Sequence, residues 1–205
     1  MFRSALALAL VSLPLTAMAQ VITPGEMGVY FDLDATVYET TSTPYVQVST
    51  YVFLTGLEWE EITGYRFGLE IVGAQIVTGT VFEGDGVTTA GDHGWQMELA
   101  APLPTTGTTL LATFNIFILD SNPIRFTLSG DGPSAEGSQD LPAVMLEGWY
   151  WQPVCTPGWD PVGQVPGTCA VINGWYWPLK AYRYGCSGVV RSEARTWGSV
   201  KSMYR

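Results

Sequence analysis

The sequence predicts an all-β protein, an antiparallel jelly-roll or immunoglobulin-like sandwich, and three observations support this. Segments rich in Val, Ile, Thr, Tyr and Phe recur along the chain, separated by Gly, Pro, Asp and Asn. The 23 glycines and 13 prolines among 205 residues leave little room for long helices. Hydrophobic residues make up 47% of the chain and charged residues 14%, which is enough apolar material for a folded core.

The chain begins with the pattern of a secretory signal peptide. Arg3 supplies a positive charge, residues 5–15 form a short apolar run, and residues 17–19 (Ala-Met-Ala) are a small-x-small cleavage signal. The apolar run is too short for a membrane-spanning helix, and its Ala/Leu composition is typical of bacterial leaders. We expect residues 1–19 to be removed. The mature chain, residues 20–205, is then secreted to the periplasm, cell surface or extracellular space, with no transmembrane anchor.

The first folded domain is predicted to span residues 20–147. Its strands, in chain order, are expected at 28–32, 45–54, 64–72, 75–82, 95–99, 109–119 and 124–129. In the second strand Val46, Val48, Thr50 and Val52 alternate with Tyr45, Gln47, Ser49, Tyr51 and Phe53. One of these two faces should therefore be core. The sixth strand, TLLATFNIFIL, is continuously apolar and is predicted to lie at the centre of a sheet. No helical periodicity lies between the strands, which argues against an alternating α/β fold.

Two further regions follow the sandwich. Residues 148–190 are rich in aromatic side chains, and GWYW occurs twice in them. Asn173-Gly174 is a favoured dipeptide for a type I′ hairpin, so 169–172 should pair with 175–179 in a small C-terminal β-hairpin appendage. Residues 191–205 are basic and predict a short terminal helix.

Three cysteines follow the leader, and an oxidising compartment allows one disulfide with one thiol left over. We favour Cys155 with Cys169, because closing the Gly/Pro-rich loop between them would contribute about 3 kcal/mol in the chain-entropy model. The alternative pair is Cys169 with Cys186. The remaining thiol is expected to be a small buried hydrophobe.

Charge divides the mature chain into an acidic body and a basic tail. Residues 20–160 hold 18 acidic side chains against two arginines, whereas residues 161–205 hold six basic side chains against one glutamate. Such a tail either packs on the acidic body or is bound by another protein. The basic residues are too widely spread for a phosphate-tracking stripe, so we expect no nucleic-acid partner.

Residues able to carry catalysis are few. His93 is the only histidine, and neither a nucleophile motif nor a cluster of metal ligands accompanies it. Asp32–Asp34 and Glu83–Asp92 contain oxygen ligands, but neither segment fits a twelve-residue calcium loop. Many glutamates do not by themselves define a glycosidase pair. We therefore expect no cofactor, no metal site and no catalytic residue.

The aromatic cluster is the candidate ligand-binding site. In a WYW strand both tryptophans point to one face, and flat indole faces can bind sugar rings or protein partners. Alternatively, these rings form the core of the appendage. The candidate binding residues are Trp149, Trp151, Trp159, Trp175 and Trp177. The candidate residues of a C-terminal tag are Trp197, Val200, Lys201, Tyr204 and Arg205.

A family resemblance rests on the order YVQVSTYVFLTGL, ITGYRFGLEIVG, TLLATFNIFI and IRFTLSGD. This order resembles the strand progression of cohesin-like and cellulose-binding-module-like sandwiches of bacterial extracellular proteins, over residues 26–147. The resemblance implies a jelly roll that binds proteins or polysaccharides without catalysis. The last ten residues, TWGSVKSMYR, resemble a TWGxVKxxYR terminal segment of exported bacterial proteins, which implies a sorting or attachment tag.

Together these observations predict a secreted, non-catalytic binding or structural module that acts in adhesion or in a surface or extracellular assembly. The alternative is a carbohydrate-binding module that uses an exposed aromatic platform. The expected partner is accordingly an extracellular protein or a polysaccharide.

Overall fold

The computed structural model describes residues 25–90, 94–130, 141–147, 150–157 and 168–174. In these ranges the chain forms twelve β-strands and no helix. The strands are β1 Glu26–Tyr30, β2 Glu39–Thr40, β3 Gln47–Thr55, β4 Glu61–Val72, β5 Gln75–Phe82, β6 Gly86–Ala90, β7 Trp95–Pro104, β8 Thr108–Ile118, β9 Ile124–Ser129, β10 Ala143–Leu146, β11 Tyr150–Pro153 and β12 Thr168–Ile172.

The strands lie in two sheets. The four-stranded sheet has the order β1-β3-β8-β5, and the eight-stranded sheet has the order β11-β10-β4-β9-β12-β2, with β7 and β6 continuing from β4. Every strand pair is antiparallel except β12 with β2. The predicted all-β antiparallel sandwich is thus confirmed.

All seven strands predicted in the first domain are present; β5 and β9 have the predicted bounds, and the other five have shifted ends. β4 begins at Glu61 and β7 runs on to Pro104, so both are longer than their sequence patterns indicated. Three strands, β2, β6 and β10, were not predicted from the sequence. β8 pairs with β3 on one edge and with β5 on the other, which confirms the prediction that this apolar segment lies at the centre of its sheet.

The core lies between the sheets. Along β8 the buried Phe114, Ile116 and Ile118 alternate with half-buried residues, as expected for a strand with one inward face. From the opposite sheet, β4 contributes Tyr65 and Phe67, both almost fully buried. The matching face of β3 is the one that carries Thr50 and Val52, and it too is buried.

A buried phenol joins the two sheets. The Tyr65 hydroxyl on β4 lies 2.7 Å from the carbonyl oxygen of Leu111 on β8 and 2.8 Å from that of Glu83. Burial raises the pKa of Tyr65 well above its usual value, with the nearby Glu83 carboxylate adding to the effect. Tyr65 therefore stays protonated and can donate to either carbonyl.

The predicted disulfide between Cys155 and Cys169 is wrong. Cys169 is a free, fully buried thiol on β12, and its Sγ donates a hydrogen bond to the carbonyl oxygen of Phe126 at 3.2 Å. The alternative pair of Cys169 with Cys186 fails for the same reason. The prediction of this pair rested on the entropy of closing the loop between the two cysteines. That argument takes no account of β12, whose residues 169–172 (CAVI) are buried on both faces. The expectation of one small buried thiol is confirmed for Cys169. Cys155 itself is disulfide-bonded.

β11 and β12, from the aromatic-rich region, belong to the main sandwich. β11 pairs with β10, and β12 pairs with both β9 and β2. Asn173, after β12, has a φ of 56°, as the first central position of a type I′ turn requires. The predicted hairpin partner, residues 175–179, and the predicted terminal helix lie outside the described residues.

Candidate binding surfaces

One side of the four-stranded sheet faces away from the core. We call it the outer face and define it by the outward residues of β3, β8 and β5 and of the segment before β3. Its residues are Tyr45, Gln47, Ser49, Tyr51, Ile76, Thr78, Val81, Thr113, Asn115 and Phe117.

Strand register aligns these side chains in rows. Ile76 lies beside Phe117, which lies beside Gln47, and Val81 lies beside Thr113, which lies beside Tyr51. Between the rows Ser49 Oγ donates to Asn115 Oδ1 at 3.2 Å. A second contact joins the Thr78 hydroxyl to Gln47 Oε1 at 3.4 Å. The short polar side chains are therefore held by their neighbours, and the face is preorganised.

The outer face carries no charged residue among those that define it, although the chain has 19 acidic side chains. It combines two tyrosines and a phenylalanine with β-branched and neutral polar side chains. Val81 is 56% exposed and Ile76 is 51% exposed, so apolar surface reaches solvent here. Depletion of charge and enrichment in aromatic residues are typical of the centre of a protein interface.

Tyr45 stands at one end of this face in a strained backbone conformation. Its φ is 64°, in the left-handed region that a bulky residue rarely occupies. Its backbone is held nonetheless, because the Tyr45 N–H donates to Ile118 O at 2.8 Å and the Ile118 N–H donates to Val46 O at 3.0 Å. The side chain is 74% exposed. An exposed aromatic ring kept on a strained backbone is a feature that supports a binding role.

Among the five candidate tryptophans, the structure describes Trp151. It lies on β11, half-buried, and the guanidinium carbon of Arg66 lies 4.8 Å from its ring centroid. This cation–π contact occupies one face of the indole. Trp149, Trp159, Trp175 and Trp177 lie outside the described residues, as do the tag residues Trp197, Val200, Lys201, Tyr204 and Arg205.

The acidic segment that begins at Asp32 is a turn. Its carboxylate accepts hydrogen bonds from the Thr36 hydroxyl, from the Thr36 N–H at 2.9 Å and from the Val37 N–H at 2.8 Å. Partial desolvation would raise the pKa of Asp32, but these hydrogen bonds outweigh it and hold the pKa below its usual value. The donors to this carboxylate are thus protein groups.

No group of three or more His, Cys, Asp and Glu side chains within the described ranges could hold a metal ion. His93 and Asp92 lie outside those ranges. The described part of the chain contains no helix long and apolar enough to cross a membrane.

Comparisons with known proteins show what the fold is similar to. No family model and no curated protein matches the sequence. Among solved structures, the chain is similar to a cohesin module from a family 33 glycoside hydrolase of Clostridium perfringens, with 10% identity, a TM-score of 0.48, and coverage of 65% of this chain and 91% of that one. It is also similar to a type I cohesin–dockerin complex from Clostridium thermocellum, with 8% identity, a TM-score of 0.48, and coverage of 73% and 93%.

A non-cellulosomal cohesin from the archaeon Archaeoglobus fulgidus is similar as well. It is 10% identical, with a TM-score of 0.44, and the match covers 78% of this chain and 96% of that one. Cohesin modules are therefore among the structures that this β-sandwich is similar to, as the strand order predicts. At these identities the likeness concerns the fold alone.

The outer face was not predicted as a site from the sequence. The alternation along the strand places Tyr45, Gln47, Ser49 and Tyr51 on one face, but it does not indicate which of the two faces is core. The signal was present, because one face reads Val-Val-Thr-Val and the other mixes tyrosines with polar groups. The contributions of β5 and β8 could not be added, since strand register is a tertiary property.

Proposed function

We propose that the protein is a secreted, non-catalytic module that binds a protein partner in an extracellular assembly through the outer face. The observation that carries this proposal is the uncharged, aromatic and partly exposed outer face on a strongly acidic chain. Desolvating such a face costs less than desolvating carboxylates, and tyrosine supplies contact area at a small entropic cost.

The surrounding charges favour a specific partner. Glu26 lies on β1, at the edge of the four-stranded sheet, and other acidic residues lie in turns, for example Asp32, Glu60 and Asp120. The chain has a net charge of −10, which favours association with a partner that carries basic groups beside an apolar patch. It also disfavours pairing between two copies of the acidic body.

The class of partner proposed is a folded protein. The Clostridium thermocellum cohesin named above was solved with a dockerin, which is a protein partner. For this chain the support is the composition of the outer face. Secretion after removal of residues 1–19, and attachment through residues 191–205, are parts of the same proposal that rest on the sequence.

A pair of matched variants tests the proposal. Val81→Asp places a charge on the outer face, and Val87→Asp places one on β6 of the other sheet. Both valines are exposed, at 56% and 68%, so neither substitution removes a core contact. The immobilised protein and both variants are incubated with the secreted fraction of the cells that make it, and separately with a panel of polysaccharides.

We expect a protein that is retained by the parent chain and by Val87→Asp but lost with Val81→Asp. A charge buried without a partner at an interface is strongly unfavourable, which makes the loss large. Equal retention by both variants would contradict binding through the outer face. Retention of a polysaccharide with no specific protein would favour the carbohydrate-binding alternative.

A further inference from the structure

A cleft of about 260 Å³ opens between the two sheets beside β5. It lies behind β5, on the core side of that strand, whereas the outer face lies on the opposite side. Its walls come from four strands. The lining residues are Leu69 and Ile71 of β4, Gln75 and Val77 of β5, Trp95 of β7 and Phe114 of β8.

The cleft is neutral and has an aromatic wall. No charged residue lines it. The rings of Trp95 and Phe114 have centroids 5.3 Å apart and are tilted by 53°, so they present two differently oriented surfaces. Val77 points inward yet is 43% exposed, which shows that the sandwich is open to solvent at this edge.

Gln75 adds the polar group. Its Nε2 donates to the carbonyl oxygen of Ile71 at 3.4 Å, a long hydrogen bond that identifies Oε1 as the free acceptor and still allows the amide to rotate. Its Oε1 is buried and accepts no hydrogen bond from any residue that the structure describes. A buried carbonyl oxygen without a donor is unfavourable, and a ligand that brings a donor removes that penalty.

We propose that this cleft binds a neutral aromatic ring that carries one N–H or O–H group, as in an indole or a phenol. An apolar cavity of about 150 Å³ is enough to bind benzene, so this cleft has room for a two-ring group. The ring packs against Trp95 and Phe114, and its donor reaches Gln75 Oε1 after a small rotation of the amide. The ring can belong to a free molecule or to a tryptophan or tyrosine side chain of a peptide.

The first experiment locates the ring. Methyl-labelled protein is titrated with indole, and the NMR signals of Leu69, Ile71 and Val77 are followed. We expect saturable shifts confined to these methyl groups. Val77→Phe fills the cleft and should weaken binding at least tenfold, whereas Val81→Phe, on the other side of the same strand, should leave it unchanged. Absence of saturable shifts, or equal binding by both variants, would overturn the proposal.

The second experiment tests the donor. N-methylindole has the same rings without the N–H, and we expect it to bind about fivefold more weakly than indole, the factor that one ordinary hydrogen bond contributes. In Gln75→Met the two ligands should bind equally. Equal binding to the parent protein would refute the role of Gln75.

The third experiment separates the two sources of the ring. An uncharged capped tripeptide, Thr-Trp-Thr, is titrated beside free indole. Tighter binding of the peptide, with the same methyl shifts, assigns the cleft to a side chain of a protein partner. Binding of indole alone assigns it to a small molecule. Binding of neither contradicts the inference, and since Val81 is not in the cleft, partner capture through the outer face can succeed or fail independently.

Discussion

Replacing Tyr45 by glycine should not destabilise the protein, although it removes a large aromatic side chain. Tyr45 has a φ of 64° and is 74% exposed. Glycine adopts this left-handed conformation without the clash that a side chain incurs. If the ring is retained for binding, the folded state should tolerate or even gain from its loss.

The magnitude follows from two opposing effects. Relief of the left-handed strain contributes about 1–2 kcal/mol. The greater freedom of glycine in the unfolded chain costs about 0.5–1 kcal/mol. Little burial is lost, because most of the ring is already in water. The free energy of unfolding should therefore stay constant or rise by up to about 1.5 kcal/mol.

Urea unfolding of Tyr45→Gly, compared with that of Tyr51→Gly, measures this change in the free energy of unfolding. Tyr51 lies within β3, is half-buried, and its ring centroid is 6.2 Å from that of Phe53. Its loss should cost about 2–3 kcal/mol through lower strand propensity and lost burial. With a slope of about 2 kcal/mol per molar urea, the midpoint falls by about 1 M for Tyr51→Gly and does not fall for Tyr45→Gly. A comparable fall in both variants would refute the reasoning and show that Tyr45 stabilises the fold.

Four further outcomes follow from the cysteines and the core. Cys169 should resist a thiol reagent at pH 8 in the folded protein and react after denaturation, because burial raises its pKa to about 12 from its usual value of 9.0; rapid labelling of the folded state would contradict its buried position. Because the folded pKa is the higher one, this thiol's contribution to stability is complete below about pH 9 and is lost as the pH rises toward 12, so the urea midpoint should fall over that range, with the buried Tyr65 acting in the same direction. Peptide mapping under non-reducing conditions should find Cys155 in a disulfide and Cys169 as a free thiol, and a Cys155–Cys169 peptide would contradict the structure. Phe114→Ala should cost about 3–5 kcal/mol in thermal or urea unfolding, since Phe114 contacts the rings of Phe67, Phe82 and Trp95, and a loss below about 1 kcal/mol would mean that this cluster is not the centre of the core.

The strands of the sandwich could be predicted because their signal is local. Alternation in β3 and the continuous apolar run of β8 are read from neighbouring residues, and both segments were placed correctly. β2 is only two residues long and β6 is GVTTA, with a single large apolar residue, so neither carries a pattern of its own. These strands form because a neighbouring strand offers hydrogen bonds, which is a tertiary effect.

The candidate binding surfaces were harder to predict for the same reason. The outer face needs Ile76, Phe117 and Gln47 in one row, and that row depends on the pairing of β5 with β8 and of β8 with β3. The sequence predicts Trp151 as a candidate binding residue because it is aromatic. Its contact with Arg66 could not be predicted, because it depends on β10 lying between β11 and β4. The cysteine pairing failed because a loop-length argument carries no information about which side chains point inward.

The central claim is that the outer face binds the protein partner. Hydroxyl-radical footprinting of the protein alone and in complex with the captured partner tests it most directly, since the method reads the solvent exposure of individual side chains. We predict strong protection of Tyr45, Ile76 and Val81 in the complex, with Val87 on the other sheet labelled equally in both states. Protection of Val87 with unchanged labelling of Tyr45 and Val81 would contradict the claim and move the interface to the other sheet.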